Sequence, residues 1–434
     1  MLVTLTDRPA IEAAVEGALA GEQIVDMHTH LYSPRFGSPI AGPDTEADPT
    51  GLMLWGLDEL LTYHYLVAEL FRVVDPKILT PEQFANLPKR EQANLIWREL
   101  FIDRSPISEA CRGVLTALNA LGLDVSIHDL DDHRAAFEQL DPDEHIDRVM
   151  ALANVRSITM TNDPFDDNER NRWLAIEDLG SDPRFEAVLR TDPLLCDWPN
   201  AARRLAEWGY KVDVDLTGQS IAEVRRFLEE WIDRLDAIYL AMSLPPTWRY
   251  PAEGPGQRVL DEAILPVLAE RRLPLALMIG VERGVNPALA AAGDMGFQAD
   301  VRSVTNLCAA NPSNKFMVTM LSLENQHELA VAARKFGNLM IFGCWWFLNN
   351  PSLIEHITRM RMELLGMSFI PQHSDCRVLE QLIYKWHHSR TILGKVLSDK
   401  YVDLVATGWP LTTDEVHRDV RAYFADNFEN FLRR

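Results

Sequence analysis

The chain has 434 residues, of which 47% are hydrophobic and 24% are charged. That length suits one large domain with insertions, or two domains. The formal net charge of −22 argues against nucleic acid or an anionic membrane as a partner, and an anionic ligand would need a local basic pocket. No apolar run reaches the roughly 18 residues that a membrane-spanning helix needs, so we expect no membrane span.

The cysteines and the amino-terminal residues predict a cytoplasmic location. The five cysteines are an odd number, are widely spaced and form no Cys-x-x-Cys pair, which is typical of reduced thiols. The first residues lack the charged segment and apolar core of a signal peptide.

The first predicted strand ends in "VDMHTHL" (25–31), which places two histidines one residue apart. Alternate side chains of a strand point to the same face, so His28 and His30 would project together, with Thr29 opposite. Two imidazoles that converge on one point suit a divalent metal. The alternative is a surface strand end that holds two histidines by chance.

The next stretch, residues 50–150, is predicted to be mostly helical. It contains "GLDELLTYHYLVAELFRVV", "PEQFANLPKREQANLIWRELF" and "ISEACRGVLTALNALGL", with no strand run between them. We interpret it as a helical insertion after the first strand, within a single domain that spans residues 1–434.

After residue 150, short apolar runs alternate with segments of helical period, which indicates a parallel sheet covered by helices. The predicted strands are 155–161, 185–191, 211–217, 237–244, 274–281, 315–321, 338–347 and 368–375, and the predicted helices include 221–235, 260–272 and 325–337. With the first strand there is one strand too many for a (β/α)8 barrel of the TIM type, so we set 211–217 aside and predict that α/β fold. A C-terminal helix within 411–434 would begin at a threonine cap.

A doubly wound open sheet is the competing architecture. It usually has a glycine-rich turn after its first strand, and "DMHTHL" contains no glycine, which favours the barrel.

In a (β/α)8 barrel the active site lies at the C-terminal ends of the strands. His28 and His30 would meet Asp375 of the last strand there and form an open metal site. The other notable residues at these strand ends are Arg190, Asp192, Arg283, Trp345, Trp346 and Arg377. Three arginines near one mouth suit an anionic ligand, because the guanidinium fork matches a carboxylate.

Three of these positions also have structural explanations. Arg190 could pair with Asp192, and Asp375 could cap a helix that begins near Val378. Because Trp345 and Trp346 are adjacent, only one of them could face the barrel interior from a strand.

Taken in order, several blocks resemble those of the uronate isomerases, often called glucuronate isomerases, of the amidohydrolase superfamily. The blocks are "VDMHTHL", "LLTYHYLVAEL", "NVRSITMTNDP", "VLRTDP", "IGVERGVNP", "NPSNKFMVTMLSLEN", "GCWWFLNN" and "SDCR". The resemblance covers most of the chain and is weakest in residues 50–150. It implies an amidohydrolase-type barrel that interconverts an aldose uronate and its 2-keto form, such as D-glucuronate and D-fructuronate or D-galacturonate and D-tagaturonate.

The resemblance also implies roles for individual residues. His28, His30 and Asp375 would hold a divalent metal, expected to be zinc, and Arg190 would bind the carboxylate or a hydroxyl of a small sugar acid. It also implies that His64, Tyr65 and Arg377 belong to the active site. From their places in the sequence, Arg283, Trp345, Trp346 and His373 are further candidates for binding the substrate.

Isomerisation moves a proton between C1 and C2 through an enediol, which requires a base at the carbon-bound proton and a group that stabilises the developing oxyanion. Asp375 is the candidate base. Tyr65 or His64 would carry protons to and from the oxygens. Arg377 would orient Asp375 or stabilise the enediolate.

The sequence departs from the family pattern at two places. Met278 stands where family members usually carry histidine, and "LAMSLPP" lacks the family's Asp-His-Gly ending. Methionine is a poor ligand for such a cation and cannot transfer a proton. His373 would lie on the same side of a strand as Asp375, where it could compensate or be a hydrogen-bonded interior histidine. The departures predict a divergent branch that acts on uronates or on another acid sugar.

Two other classes of function fit the same residues. A metal-dependent hydrolase or a decarboxylase that acts on a small carboxylated substrate could use the same three ligands. A barrel that has lost its metal could only bind sugar acids or a partner. The helical segment and the C-terminal helix could also support a homo-oligomer.

Overall fold

A curled parallel sheet of seven strands organises the computed structural model, which describes residues 4–43 and 46–434. Its strands are β1 (Ile24–Thr29), β2 (Val155–Asn162), β3 (Phe185–Arg190), β4 (Leu240–Leu244), β5 (Leu275–Ile279), β8 (Phe316–Met320) and β9 (Leu339–Ile341), in that order across the sheet. A separate antiparallel hairpin of β6 (Val281–Glu282) and β7 (Met295–Gly296) lies between β5 and β8 in the chain. Because neighbours in the sheet follow the chain order, the sheet lacks the reversal of a doubly wound fold.

The helices before β2 are α1 (Arg8–Gly21), α2 (Leu57–Leu61), α3 (His64–Val73), α4 (Pro81–Ala85), α5 (Lys89–Trp97), α6 (Glu109–Ala120), α7 (Leu130–Phe137) and α8 (Pro142–Ala153). The helices after β2 are α9 (Asp167–Ala175), α10 (Asp192–Cys196), α11 (Trp198–Glu207), α12 (Ser220–Leu235), α13 (Pro255–Val259), α14 (Leu265–Arg271), α15 (Val301–Ala310), α16 (Gln326–Ala333), α17 (Pro351–Leu365), α18 (Gln381–Ala406), α19 (Thr413–Arg421) and α20 (Asn427–Arg433). Helices α2 to α8 therefore occupy the stretch that the sequence predicts to be helical. None of the described helices is long and apolar enough to cross a membrane.

The C-terminal segment forms α19 and α20, and the start of α19 follows from its sequence. The hydroxyl of Thr412 accepts a hydrogen bond from the Glu415 N–H, and the Glu415 carboxylate accepts one from the Thr412 N–H. This capping box satisfies amide groups that the first turn leaves free. A π-helical turn at 422–426 then joins α19 to α20.

The concave side of the sheet encloses a small apolar core that the C-terminal helices close at one end. Met27, Tyr239 and Met278 belong to this core, together with Phe428 and Phe431 from α20. The ring centres of Tyr239 and Phe428 are 6.2 Å apart. Burial of each such side chain stabilises the fold by about 1.5–3 kcal/mol, so the C-terminal helices contribute to stability at this end of the sheet.

The segment 368–375 is not the regular strand that the sequence predicts. Only Ile370 forms a β-bridge, with Phe342. Pro371 has no N–H to donate, and Asp375 has a φ of 52°, so a continuous ladder is not possible here.

The same segment nevertheless bonds to both edges of the sheet. The N–H of Ile370 donates to the carbonyl of Ile341 at 3.0 Å, and the N–H of Asp375 donates to the carbonyl of His28 at 3.1 Å. The N–H of His30 donates in turn to the carbonyl of Cys376 at 2.7 Å. The segment therefore fixes Asp375 beside the end of β1.

The predicted strand 338–347 is too long. Strand β9 ends at Ile341, because Gly343 has a φ of 64° and Trp346 a φ of 47°. Trp345 and Trp346 consequently lie beyond the strand rather than at its end. The segment 211–217 forms no strand, which agrees with the prediction that it is not part of the barrel.

Candidate active site

Three of the predicted residues converge at the open end of the sheet. The ligand atoms of His28, His30 and Asp375 all lie within 4.8 Å of one another. Asp375 Oδ1 is 3.3 Å from His30 Nε2 and 3.8 Å from His28 Nε2. Two imidazoles and one carboxylate in this arrangement leave further coordination positions open.

The local backbone explains why both histidines face one point. The pairing of β1 with β2 shifts register between Asp26 and Thr29, as in a β-bulge. The bulge turns the ring of His28 inward, so that its Nδ1 lies 3.4 Å from the hydroxyl of Tyr239 in the inner core and 3.4 Å from that of Thr161. A regular strand would have placed Met27 and His28 on opposite faces.

The hydrogen bonds around His28 leave Nε2 as the nitrogen that is free to bind a metal. The Tyr239 hydroxyl donates to the Met27 carbonyl at 2.6 Å, and the Thr161 hydroxyl donates to the Thr29 carbonyl at 2.8 Å. Because both hydroxyl protons are used, each oxygen can only accept from His28 Nδ1. The lone pair then lies on Nε2, which is buried and has no hydrogen-bond partner among the described residues. A metal bound there would satisfy this atom.

The electrostatics of the three residues also fit a metal. Burial lowers the pKa of His28 to about 3 and that of His30 to about 4, with the charges of His30 and Arg377 as the next causes. Burial alone would raise the pKa of Asp375, but the hydrogen bond and charge of His30 hold it well below its ordinary range. Neutral imidazoles and an ionised carboxylate are the forms that bind metals.

His373 lies next to these residues but outside the group of three. It is fully buried, and its ring centre is 5.5 Å from that of His28. Neither of its ring nitrogens has a partner in the part of the chain that the structure describes. Burial and the nearby His28 lower the pKa of His373 to about 3. His373 is thus a neutral interior histidine, without the protein hydrogen bond that the sequence-based alternative assumes.

Met278 provides no imidazole and sits in the inner core, 1% exposed. It pairs in register with Ser243 on β4 and with Thr319 on β8. This part of the site therefore lacks an imidazole, as expected from its sequence.

A cavity of about 250 Å³ has none of the three converging residues in its wall, but the charge of Asp375 acts on two residues of that wall, His64 and Tyr65. Its walls include His64, Tyr65, Trp346, Tyr384 and Lys385. The His64 Nε2, the Tyr65 hydroxyl and the Trp346 Nε1 are buried polar atoms without a hydrogen-bond partner among the described residues. Such atoms are normally satisfied, so they favour a polar ligand in this cavity.

His64 and Tyr65 are uncharged in this environment. Burial lowers the pKa of His64 to about 3, with the charge of Arg377 as the next cause. Burial and the neighbouring Tyr63 raise the pKa of Tyr65 well above its usual value. Each of these side chains can therefore exchange a proton with a ligand oxygen without carrying a net charge at rest.

The three arginines differ in their surroundings. Arg190 donates to Asp192 Oδ2 from Nε at 3.0 Å and from Nη2 at 2.5 Å, so the pairing considered from the sequence occurs. Arg283 pairs with Asp294 at 2.7 Å, and its side chain is 56% exposed. Arg377 is exposed, but its charge acts on the histidines at the mouth.

Two further sequence-based alternatives are resolved by the structure. Asp375 caps no helix, because α18 begins at Gln381, whose Oε1 accepts from the N–H groups of Arg377 and Val378. Trp345 is 4% exposed and belongs to the inner core, whereas Trp346 lines the cavity.

Sequence reasoning missed two charged residues near the site. Asp26 accepts from the Ser374 N–H at 3.1 Å and from the Trp386 indole at 2.8 Å, which holds the residue before Asp375 in place. Lys385 donates to the Ser374 carbonyl at 2.6 Å. An acid inside the apolar run "VDMHTH" is a usable signal for Asp26. Lys385 has no such signal, because a lysine on a helix is usually exposed.

The chain, with its curled parallel sheet and with two histidines and an aspartate at the open end, shares its fold with a solved protein from Lactobacillus casei ATCC 334 that is described as a metal-dependent hydrolase. That protein is 10% identical with a TM-score of 0.51, and covers 100% of this chain and 98% of its own. The solved uronate isomerase from Bacillus halodurans C-125 is 52% identical to this chain, covers 99% of it and 98% of its own length, and superimposes with a TM-score of 0.94. The chain belongs to the uronate isomerase family.

Two more distant solved structures share the fold. The glucuronate isomerase from Caulobacter crescentus is 16% identical with a TM-score of 0.76, and covers 99% of this chain and 95% of its own. The uronate isomerase from Thermotoga maritima is 14% identical with a TM-score of 0.74, and covers 99% and 98%. No protein-family model and no curated protein sequence matches the chain.

Proposed function

We propose that this protein is an aldose–ketose isomerase of carbohydrate metabolism that interconverts an aldose uronate and its 2-keto form. The substrate would be D-glucuronate or D-galacturonate, and the product D-fructuronate or D-tagaturonate. The observation that carries the proposal is the convergence of His28, His30 and Asp375 in a chain 52% identical to a uronate isomerase. This similarity does not favour the hydrolase or decarboxylase alternative.

His28, His30 and Asp375 would hold a divalent metal, and we propose zinc. Two imidazole nitrogens and one carboxylate oxygen are a donor set that zinc accepts, with positions left open for a ligand. When bound, the metal would act as a Lewis acid toward an oxygen of the sugar acid.

Asp375 is the proposed base. Its carboxylate is ionised and lies at the mouth, so it can take the proton from C2 of the aldose form and return a proton to C1. The C2–H electrons form the C1–C2 double bond of the enediol, and a proton moves from the oxygen on C2 to the oxygen on C1. Tyr65 and His64, whose polar atoms have no partner among the described residues, are the groups proposed to move that proton.

The remaining predicted residues are proposed to bind and orient the substrate. Arg377 would stabilise the enediolate from the mouth, with Arg190 and Trp346 against the hydroxyl groups. We also predict that Arg283, Trp345 and His373 contact the substrate.

Several broader features stay proposals. The segment 368–375 would act as the eighth strand and complete a (β/α)8 barrel, with residues 50–150 as an insertion in a single domain. A cytoplasmic location is consistent with five free cysteines. Binding of a small anionic sugar acid and assembly into a homo-oligomer also remain predictions.

The substitution Asp375→Asn tests the proposed chemistry. The amide keeps the size of the side chain but cannot act as the base, so turnover of the uronate should be lost while the sugar acid still binds. Asp403→Asn, at an exposed position on α18, is the matched control and should leave both unchanged. Retained turnover in Asp375→Asn would overturn the assignment.

A further inference from the structure

Lys385 is a buried lysine whose charge is directed at the cavity. It lies on α18, is 3% exposed and forms part of the cavity wall. Its ammonium group donates to the Ser374 carbonyl at 2.6 Å and lies 5.6 Å from the ring centre of Tyr65. A lysine has three N–H donors, so the backbone carbonyl uses only one of them.

The charges of the cavity wall are balanced except at this lysine. The charged wall residues are Glu109, Asp294 and Lys385. Glu109 pairs with Arg112 at 3.1 Å, and also with His388. Asp294 pairs with Arg283 at 2.7 Å. Within the described part of the chain, no carboxylate lies within ion-pair distance of the Lys385 ammonium. A buried ammonium without a carboxylate partner is unfavourable, so an anionic ligand would be strongly held there.

The arginines at the mouth are less suited to the same anion. The guanidinium of Arg190 is engaged by Asp192 through two nitrogens. Arg283 is paired with Asp294 and largely exposed, so water screens its charge. Lys385 therefore differs from both in being buried and in having donors left over.

We infer that Lys385 binds the carboxylate of the sugar acid and so selects acids over neutral sugars. The inference rests on the proposed function, because it places the reacting carbons near Asp375 and the carboxylate at Lys385 in the cavity wall. The charges of both Asp375 and Lys385 act on the ring of His64, which also lines the cavity. The ligand class is a linear or ring-opened sugar with one terminal carboxylate.

The variant Lys385→Met tests the inference, because methionine keeps most of the length and removes the charge. Binding of an aldonate and of the corresponding aldonamide to metal-loaded protein would be measured by calorimetry, with KM and kcat for the uronate in parallel. In the wild type the acid should bind more tightly than the amide. In Lys385→Met the affinity for the acid and 1/KM should fall roughly tenfold or more, while affinity for the amide changes little and kcat falls less than 1/KM.

Two controls separate recognition from folding. Lys395→Met, on the same helix but exposed and paired with Glu355, should behave as the wild type. Lys385→Arg keeps a positive charge and should retain the preference for the acid. This variant tests the inference even if Lys385→Met does not fold. Equal losses for acid and amide would overturn the inference in favour of a positioning role through Ser374, and an unchanged preference would overturn it outright.

The outcome is independent of the proposed reaction. A wild type that turns over no uronate would contradict the isomerase function. The preference for acid over amide, and its loss in Lys385→Met, would still report on the carboxylate site.

Discussion

At the scale of single residues, the site combines neutral histidines with one ionised carboxylate. Burial lowers the pKa of His28 and of His30, so both are neutral, while the hydrogen bond with His30 keeps Asp375 ionised. The spacing of the two histidines and the position of Asp375 after a late apolar run were enough to predict this group. The β-bulge that aims His28 was not predictable, because it depends on pairing with β2.

Removal of one metal ligand should release the metal. For His30→Ala we expect metal affinity to fall by at least about tenfold, since a lost imidazole leaves only two protein ligands. Metal content after dialysis, measured by plasma mass spectrometry, checks this. His356→Ala, at an exposed position on α17, should keep the wild-type content. Full metal content in His30→Ala would show that the ion binds elsewhere.

The half-buried His64 should make the metal-free protein sensitive to acid. Its pKa is lowered to about 3 in the folded state, whereas the unfolded chain has an ordinary value near 6.5. Between these pH values the unfolded state binds a proton that the folded state does not. The free energy of unfolding must therefore decrease as the pH falls below about 6.5.

In His64→Gln this contribution disappears. Between about pH 6 and pH 4, the slope of the free energy of unfolding against pH should fall by up to about 1.4 kcal/mol per pH unit, which corresponds to one proton. Urea unfolding at several pH values measures the slope. The exposed His356→Gln is the control, and parallel curves for His64→Gln and the wild type would contradict the lowered pKa.

At the scale of elements, the regular strands were predictable and the irregular ones were not. β2 and β3 match their predicted ranges closely, because apolar β-branched runs bounded by polar residues specify them. The predicted ranges of the last two strands, 338–347 and 368–375, were too long. Gly343 and Asp375 adopt positive φ values that no periodicity reveals, and these residues shape the site.

Gly343 illustrates this dependence on an irregular backbone. A Cβ atom at this position would lie 1.8 Å from His373 Nδ1, and φ is 64°. We expect Gly343→Ala to lower the free energy of unfolding by about 2 kcal/mol or more, through overpacking and backbone strain. Metal affinity should fall as well, because His373 must move against His28.

The control for this substitution is Gly337→Ala, just before β9. Nothing lies within 4 Å of a Cβ atom there, so its stability should stay within about 0.5 kcal/mol of the wild type. Chemical denaturation of both variants gives the comparison. A wild-type stability for Gly343→Ala would mean that the turn relaxes freely.

At the scale of the whole molecule, the fold separates stability from function. The C-terminal helices fill one end of the curled sheet, and the polar residues gather at the other. The chain carries a net charge of −22, yet Arg190, Arg377 and Lys385 surround the mouth. The arginines could be predicted because they follow predicted strands. Lys385 belongs to a helix, so its place near the mouth is evident only from the structure. A local positive field of this kind draws a small acid to the site.

The most direct test of the isomerase function is proton NMR spectroscopy of the zinc-loaded protein with D-glucuronate or D-galacturonate in D2O. The account predicts that signals of the 2-keto sugar grow at the expense of one of these aldoses, and that metal-free protein gives no such growth. An unchanged spectrum with both sugars, from protein that is folded and holds its metal, would contradict uronate isomerisation. It would identify Met278 and "LAMSLPP" as marks of a changed substrate.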